Sequence, residues 1–384
     1  MLQQYSLRED PFPIVPDGKV YNWAGRAELQ EDLIDLVKGV RARDIGVSEF
    51  VILHGELGAG KSHALRFLKT FVDDETEKPA GEFRSLAIYI ERPRVAAKLN
   101  FLELYKYIIK TIGKERIADY CKAIAQILND RAIEIREESK LTDVKDLSSF
   151  HEKAIQDFRP NDKAMVVLLA KGSDNSDKVY SFFTGDTPCE EYGGKVDSDF
   201  VAAKVLGDLF RVLTTDSKPG SQILESVYLF IDECEMLVES KATETELVFS
   251  GLRELINGLP YRFGLILSFS VGTALIEAIM NTHLLKRLTR QYIEIPTLSD
   301  DDAVEFLRAQ IKDYRLPDAH GVGDFYPFTE DSIRYIVTHA NAMTPRNLFI
   351  DCKRVLERAL RKYNLEPGQA ITLDIAQSIL TALR

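Results

Sequence analysis

Short apolar runs alternate with amphipathic segments along the first three quarters of the chain. Five of these runs predict buried strands, at residues 50–53, 86–90, 228–231, 263–269 and 292–295. Between them, apolar residues recur at helical spacing, as in Leu29, Leu33, Leu36 and Val37. Strands separated by helices are typical of a parallel sheet that is covered on both faces. We therefore predict an α/β fold with a doubly wound parallel sheet.

The pattern changes after Pro296, where the strand signals end. Helical periodicity fills residues 300–314, 329–340, 345–363 and 373–383. Asp300 and Thr329 are favourable helix starts, and Pro345 suits a first helical turn. The sequence thus predicts an α/β domain at residues 1–297 and a helical domain at residues 298–384.

One stretch of the first domain departs from the alternation of strands and helices. Residues 113–199 hold one predicted helix at 116–135, a charged stretch at 136–145, and polar loops at 172–178 and 184–195. We interpret residues 113–199 as an insertion, and we expect a partner or a second copy of the chain to dock there.

Composition narrows the class of protein. The chain has 384 residues, of which 45% are hydrophobic and 28% charged, as in an ordinary soluble globular protein. No apolar run reaches the ~18–20 residues that a membrane helix needs, and the first residues lack a signal-peptide pattern. Four scattered cysteines and six histidines show no disulfide or zinc spacing, so we expect a cytoplasmic protein without a membrane partner.

The net charge is −11, which argues against a protein that coats nucleic acid over its whole surface. A local basic surface is still compatible with this charge. Arg354, Arg358 and Lys362 recur every four residues, with Arg361 beside them, so they share one face of a predicted helix. This face either touches a phosphate backbone or an acidic partner, or is simply a solvated face near a helix end.

A phosphate-binding loop is the most specific motif. Residues 55–62 read Gly-Glu-Leu-Gly-Ala-Gly-Lys-Ser and match G-x-x-x-x-G-K-[ST] between a predicted strand and a predicted helix. Glycines allow backbone N–H groups to surround phosphate oxygens, the lysine reaches the outer phosphates, and the serine hydroxyl ligates Mg²⁺. We therefore predict that ATP and Mg²⁺ bind here, and the predicted ligands are Gly55, Gly58, Ala59, Gly60, Lys61 and Ser62.

Polar residues end two later strands. Asp232 and Glu233 follow the apolar run at 228–231, where an aspartate can hold the Mg²⁺ shell and a glutamate can polarise the attacking water. Ser268 and Ser270 alternate on one face of the next strand. Either hydroxyl can reach the γ-phosphate or the water, or the serines merely end the strand. We take Ser270 as the catalytic candidate.

The order of these parts resembles the AAA+ superfamily of P-loop ATPases, in which a helical lid domain follows the nucleotide-binding domain. Within it, the chain is similar to origin-recognition-initiator-like and transposition-regulator ATPases. Their lead-in has an Asp-Pro-Phe stretch, here residues 10–12, and a Gly-Arg-x-Glu box, here residues 25–28. Residues 180–235 also resemble ATP-binding proteins of BREX-type phage-defence systems.

The resemblance implies three further site residues. Arg287 matches the arginine finger, with Arg290 as the second choice, and Arg346 matches a nucleotide-sensing arginine of the lid. Pro345 replaces the small residue that usually precedes that arginine. Initiators carry a winged-helix DNA-binding domain after the lid, and this sequence shows none before Arg384, which weighs against sequence-specific DNA binding.

The implied activity is ATP hydrolysis by a homo-oligomer. The resemblance indicates a DNA-directed assembly, loading or target-selection factor of a mobile element or phage-defence system, with non-sequence-specific DNA contact and unidentified protein partners. The alternative is a nucleotide-dependent regulatory switch that controls a partner effector protein without touching DNA.

Overall fold

The computed structural model describes most of the chain, and its strands are β1 (Glu49–His54), β2 (Arg84–Ile90), β3 (Leu224–Ile231), β4 (Phe263–Phe269) and β5 (Arg290–Glu294). The described residues are 2–13, 23, 26–41, 48–74, 84–94, 96–140, 147–215, 222–238, 240–279, 290–319, 321–363, 365–366 and 368–382.

Helices account for most of the other described residues. They are α1 (Ala27–Arg41), α2 (Lys61–Asp74), α3 (Phe101–Ile112), α4 (Lys114–Glu138), α5 (Ser148–Gln156), α6 (Lys163–Lys171), α7 (Ser176–Phe183), α8 (Asp199–Thr214), α9 (Glu235–Val238), α10 (Ala242–Gly258), α11 (Thr273–Ile279), α12 (Asp300–Asp313), α13 (Glu330–Thr338), α14 (Pro345–Lys362) and α15 (Leu373–Thr381). Short 3₁₀ helices occupy Leu2–Tyr5 and Glu190–Tyr192.

The five strands form one sheet in the order β2-β3-β4-β1-β5. β2 pairs in parallel with β3, and β3 pairs in parallel with β4, with Leu229 opposite Ile88 on one side and Leu265 on the other. Every residue of β4 is buried, as expected for a strand covered on both faces. The predicted α/β fold with a helical C-terminal region is confirmed.

The chain forms two compact units, each built from separate segments. Unit 1 comprises Met1–Asp35, Leu53–Leu68 and Ile293–Arg384, and unit 2 comprises Leu36–Ile52 and Lys69–Tyr292. The predicted domain boundary between residues 297 and 298 stays a prediction.

Unit 2 is built around a large apolar core that joins the sheet to its helices. α10 packs against α3 and α8. The contact with α3 is close enough to require glycine, because a methyl group at Gly251 would overlap the ring of Phe101. Asn100 caps α3 by accepting a hydrogen bond from the backbone N–H of Glu103 at 2.9 Å.

The insertion is more helical than its polar sequence indicates. The predicted helix at 116–135 is α4, which is longer at both ends, and the residues predicted to lie in loops or left unassigned also form α5, α6 and α7. These three helices have only eight or nine residues, so their stability depends on packing, and all three pack on α4. Residues 141–146 lie outside the described part of the chain.

Unit 1 has its own apolar core, formed by the four C-terminal helices and the first residues of the chain. Phe12 is fully buried, with its ring centroid 5.9 Å from that of Phe328 and 5.8 Å from that of Phe349. Lys353 of α14 forms an ion pair with Asp10. The Asp-Pro-Phe stretch at residues 10–12 therefore packs onto the C-terminal helices. Nowhere in the described residues is there a helix long and apolar enough to cross a membrane.

Candidate functional site

The glycine-rich loop lies between β1 and α2 in unit 1, where the backbone adopts conformations that favour glycine. Gly58 has φ +83°, and a Cβ at this position would lie 2.8 Å from Cβ of Arg346. At Gly55 the backbone passes so close to the carbonyl oxygen of Ile295 that a Cβ would lie 2.5 Å from it. The loop therefore keeps its shape only with glycine at both positions.

Lys61 is the first residue of α2, and its side chain folds back over the loop. Its Nζ donates to the carbonyl oxygens of Gly55 at 2.9 Å and Glu56 at 2.8 Å. Only 6% of Lys61 is exposed. Ser62 follows as the second residue of α2 and is half-buried. This arrangement holds an ammonium group inside the loop, at the N-terminus of a helix, where anions bind favourably.

The start of α14 contacts the same loop. Thr344 caps α14 by accepting a hydrogen bond from the backbone N–H of Asn347, and its Oγ1 would lie 3.4 Å from a Cβ at Gly58. Arg346, the predicted sensing arginine, is exposed and stands directly over Gly58. Within unit 1, the structure therefore brings together the phosphate loop, Lys61 and Arg346.

Arg26 is a further cation at the loop. Its Nη1 donates to the carbonyl oxygen of Ala59 at 2.8 Å, while its Nε and Nη2 are buried and bond to none of the described residues. Burial lowers the pKa of Arg26, and Asp302 opposes that shift. Buried donors without an acceptor are costly, and an anion would satisfy them. The sequence signalled this residue only as part of the Gly-Arg-x-Glu box.

Asp232 follows β3 in unit 2 and is held by three donors. The hydroxyl of Tyr89 donates to Oδ2 at 2.9 Å, and Oδ1 accepts from the Ser268 hydroxyl at 2.6 Å and the Glu233 N–H at 2.9 Å. Asp232 is 2% exposed. A carboxylate has about four lone-pair positions, so these donors leave one on Oδ2 for a further ligand. Tyr89 was not predicted, because it lies 143 residues away in the sequence.

Glu233 adopts a left-handed backbone conformation with φ +49°, and its side chain is exposed. Partial burial of the carboxyl group raises its pKa, as do the neighbouring carboxylates Asp232, Glu235 and Glu91, while Arg92 lowers it. A raised pKa suits a group that accepts a proton near neutral pH. The turn is therefore strained at the residue whose side chain is the predicted water-polarising group.

The two candidate serines have different surroundings. Ser268 is fully buried, with its hydroxyl donating to Asp232. Ser270 is half-buried just after β4, and its backbone N–H donates to Glu235 at 3.2 Å. The Ser270 hydroxyl makes no hydrogen bond to any described residue. Only this second hydroxyl is available to a ligand.

The predicted arginine-finger residues are Arg287 and Arg290. Arg287 lies outside the described residues, and Arg290 is the first residue of β5, with no description of its side chain.

A magnesium ion bound with a nucleotide would take part of its ligands from that nucleotide. The described residues contain no group of three or more His, Cys, Asp or Glu side chains that could hold a metal ion. The Ser62 hydroxyl of unit 1 and the remaining lone pair of Asp232 in unit 2 are each oxygen ligands of the kind that Mg²⁺ binds, with phosphate and water commonly supplying the others.

Comparison with known proteins bears on the fold. No protein-family model and no curated protein sequence matches the chain. Two solved structures of the Aeropyrum pernix ORC2 protein, the ADPNP–ADP complexes and the ADP form, match with a TM-score of 0.51 and 11% identity, covering 96% of this chain and 71% of ORC2. The Aeropyrum pernix ORC1 protein in complex with DNA matches with a TM-score of 0.49 and 12% identity, covering 98% of this chain and 69% of ORC1.

The likeness to the two ORC2 structures agrees with the strand order and with the glycine loop that follows β1. At such low identity it concerns the fold and not the activity. The chain therefore has the α/β fold of the ORC-like AAA+ P-loop ATPases, followed by a helical C-terminal region.

Proposed function

We propose that the chain is a magnesium-dependent ATPase. The loop at residues 55–60 and Lys61 bind the phosphates, Ser62 and Asp232 hold Mg²⁺, and Glu233 polarises the attacking water. Arg346 and Ser270 contact the nucleotide's outer phosphates or the water. The observation that carries this proposal is the phosphate loop itself, in which a buried lysine ammonium occupies a glycine turn that no larger residue would permit.

Some of these residues bind the nucleotide, and others take part in the hydrolysis step. Lys61 exchanges its bonds to the Gly55 and Glu56 carbonyl oxygens for phosphate oxygens. The free N–H groups of Arg26 supply further donors for an anion. Mg²⁺, when bound, neutralises charge on the phosphates. Glu233 accepts a hydrogen bond from the attacking water, and its raised pKa favours taking up the proton.

Binding and hydrolysis are separable by mutation. Lys61→Ala should lose nucleotide affinity, measured by the fluorescence of a labelled ATP analogue. Glu233→Gln should keep that affinity while turnover falls on the order of a hundredfold or more, because the water-polarising carboxylate is gone. Glu246→Gln, on the exposed surface of α10, is the control. Normal turnover in Glu233→Gln would remove Glu233 from catalysis.

We further propose that the active form is a homo-oligomer in which Arg287 or Arg290 reaches the nucleotide of a neighbouring subunit. Arginine fingers contribute about 10³–10⁵ in rate, so a lone subunit should bind ATP and hydrolyse it slowly. Specific activity should rise with protein concentration. Mixing inactive Glu233→Gln subunits with inactive Arg287→Ala or Arg290→Ala subunits should restore some turnover. No recovery in any mixture would contradict the assignment.

For the biological role, we propose a DNA-directed assembly, loading or target-selection factor of a mobile element or phage-defence system. The initiator-like lead-in and lid motifs support this role, and the solved ORC1 structure contains DNA. The overall negative charge favours the second candidate, a switch that controls a partner protein. Turnover measured with and without duplex DNA separates the two, because only the DNA-directed protein should be stimulated.

A further inference from the structure

The end of α14 carries a cluster of unneutralised positive charge. Arg361 and Lys362 are exposed, and Arg358 is half-exposed. None of the described residues forms an ion pair with these three side chains. By contrast, the two basic residues one turn earlier are neutralised, since Lys353 pairs with Asp10 and Arg354 lies 3.6 Å from Asp351. The last turn and a half of α14 therefore carries three cations that no described carboxylate pairs with.

We propose that this cluster, Arg358, Arg361 and Lys362, binds the phosphate backbone of duplex DNA. The proposal rests on the DNA-directed part of the proposed function, although DNA binding is measured without hydrolysis. With about 100° per residue, the three side chains fan over about 100° of the helix surface. They therefore face one partner together. On a chain with net charge −11, a phosphate contact has to be local in this way.

The density of charge favours a duplex over an acidic peptide. Arg358 and Lys362 are separated by about 6 Å along the helix axis, with Arg361 between them. A duplex offers one phosphate charge per about 1.7 Å of its axis, or three to four over that distance. An extended peptide places a side chain on one face only every ~6.6 Å. Three cations within this length match the duplex, and the two arginines suit bidentate contacts with phosphate oxygens.

Basic residues at a helix C-terminus also complement the helix dipole, and that role requires no ligand. The two roles make different predictions for salt. A dipole interaction changes stability, whereas phosphate contacts make DNA affinity fall with salt by about 0.9 logarithmic units per contact and per decade of salt. Three contacts should thus contribute about 2.7 to the slope, or about 40-fold in affinity between 50 and 200 mM salt.

The experiment measures binding of the full chain to a fluorescent 30-base-pair duplex as a function of salt. The variant Arg358→Gln, Arg361→Gln, Lys362→Gln should bind more weakly and lose about 2.7 from the slope. Its control, Arg308→Gln, Lys312→Gln, Arg334→Gln, removes the same charge from α12 and α13 and should keep the wild-type slope. A charge-conserving variant, Arg358→Lys, Arg361→Lys, Lys362→Arg, should retain most of the slope.

Three outcomes would overturn the proposal. The wild-type chain fails to bind the duplex, or the cluster variant keeps its slope, or the control variant loses as much as the cluster variant. A poly-glutamate peptide that binds the wild type but not the cluster variant, with no duplex binding, would assign the surface to an acidic protein instead. Since none of these outcomes depends on ATP turnover, the ATPase proposal stands or falls separately.

Discussion

Ser268 lies in β4 and Ser270 just after it, and the structure predicts different consequences for removing their hydroxyl groups. Ser268→Ala deletes the donor 2.6 Å from Oδ1 of Asp232, in a fully buried position. Ser270→Ala deletes a hydroxyl that makes no hydrogen bond to any described residue. We expect the first change to lower stability and the second to lower turnover.

The magnitudes follow from the environment of each group. A hydrogen bond to a charged group contributes about 1.5–3 kcal/mol, and Asp232 keeps its other two donors, so about 2 kcal/mol is expected for Ser268→Ala. In a unit of roughly 240 residues this corresponds to a melting temperature lower by about 4–8 °C. Ser270→Ala should stay within ~0.5 kcal/mol, as for other surface changes. If its hydroxyl contacts the reacting groups, turnover should fall on the order of a hundredfold.

Thermal unfolding followed by circular dichroism and steady-state ATP turnover measure the two effects on the same samples. Tyr89→Phe is the matched variant, because it removes the donor to the other oxygen of Asp232 and keeps the ring. Combined with Ser268→Ala it should be non-additive, since both hydroxyls serve one carboxylate. The reasoning is refuted if Ser268→Ala melts like the wild type, or if Ser270→Ala melts as low as Ser268→Ala.

Three further predictions concern other parts of the molecule. Gly58→Ala should lower the free energy of unfolding by about 1–2 kcal/mol because its backbone is left-handed, and it should also weaken nucleotide binding. Gly193→Ala, with φ +69° and no atom within 4 Å of the new methyl group, should show only the backbone effect on stability. Denaturant unfolding and nucleotide titration measure both variants. Arg211→Met should cost about 3–5 kcal/mol in denaturant unfolding, because it leaves Asp162 buried without a cation and leaves Asp208 with Lys204 alone. Arg334→Met, at a fully exposed position, should change stability much less. Since the pKa of Glu233 is raised above 4.5, hydrolysis should be lost on acidification at a higher pH than for an ordinary glutamate. Glu91→Gln removes a carboxylate that raises this pKa, so it should move the acidic limb of the pH–rate profile to lower pH. An acidic limb that does not move contradicts the role of Glu233 in polarising the water.

The raised pKa of Glu233 also predicts how the stability of the fold depends on pH. A carboxyl group whose pKa is raised on folding stabilises the fold fully only below its unfolded value, and this contribution is lost as pH rises through the folded value. Glu233→Gln should therefore melt at a slightly higher temperature than the wild type at pH 7. The difference should vanish below pH 4.5, the ordinary value for a glutamate.

The sequence was sufficient for the parts of the fold whose signals are local. The strands at 86–90 and 263–269 and the helix at 300–314 were predicted within two residues of the observed bounds of β2, β4 and α12. Buried parallel strands are continuous apolar runs, and α12 has a serine cap, Ser299, followed by acidic residues. α5, α6 and α7 were missed because helices of eight or nine residues depend on tertiary packing that a local pattern does not contain.

The candidate site shows the same difference between residues with a local sequence signal and residues brought together by the fold. The phosphate loop is a contiguous motif, so its residues could be predicted together from the sequence. Arg26 contacts Ala59 across 33 residues, and Tyr89 contacts Asp232 across 143. Both contacts are set by the fold; for example, β2 lies beside β3, which brings Tyr89 next to Asp232. No spacing rule in the sequence relates the two residues of either contact. The side chains that hold and orient the predicted groups were therefore found only in the structure.

We expect the insertion, residues 113–199, to be a docking region whose deletion leaves ATP binding measurable but abolishes the biological activity. The contacts of the insertion favour point substitutions over a deletion as the test. Arg211 of α8 contacts Asp162 of the insertion, Asp208, and the carbonyl oxygen of Gly258, which ends α10. Tyr192 of the insertion donates to the same Asp208 at 2.9 Å. Removing residues 113–199 would take away one of the two carboxylates of this buried cluster and expose the apolar faces of α3 and α8. Loss of activity in a deletion would then report damage to unit 2. Charge reversals at exposed positions of α4, such as Lys122→Glu and Asp130→Lys, keep the cluster intact and test docking alone.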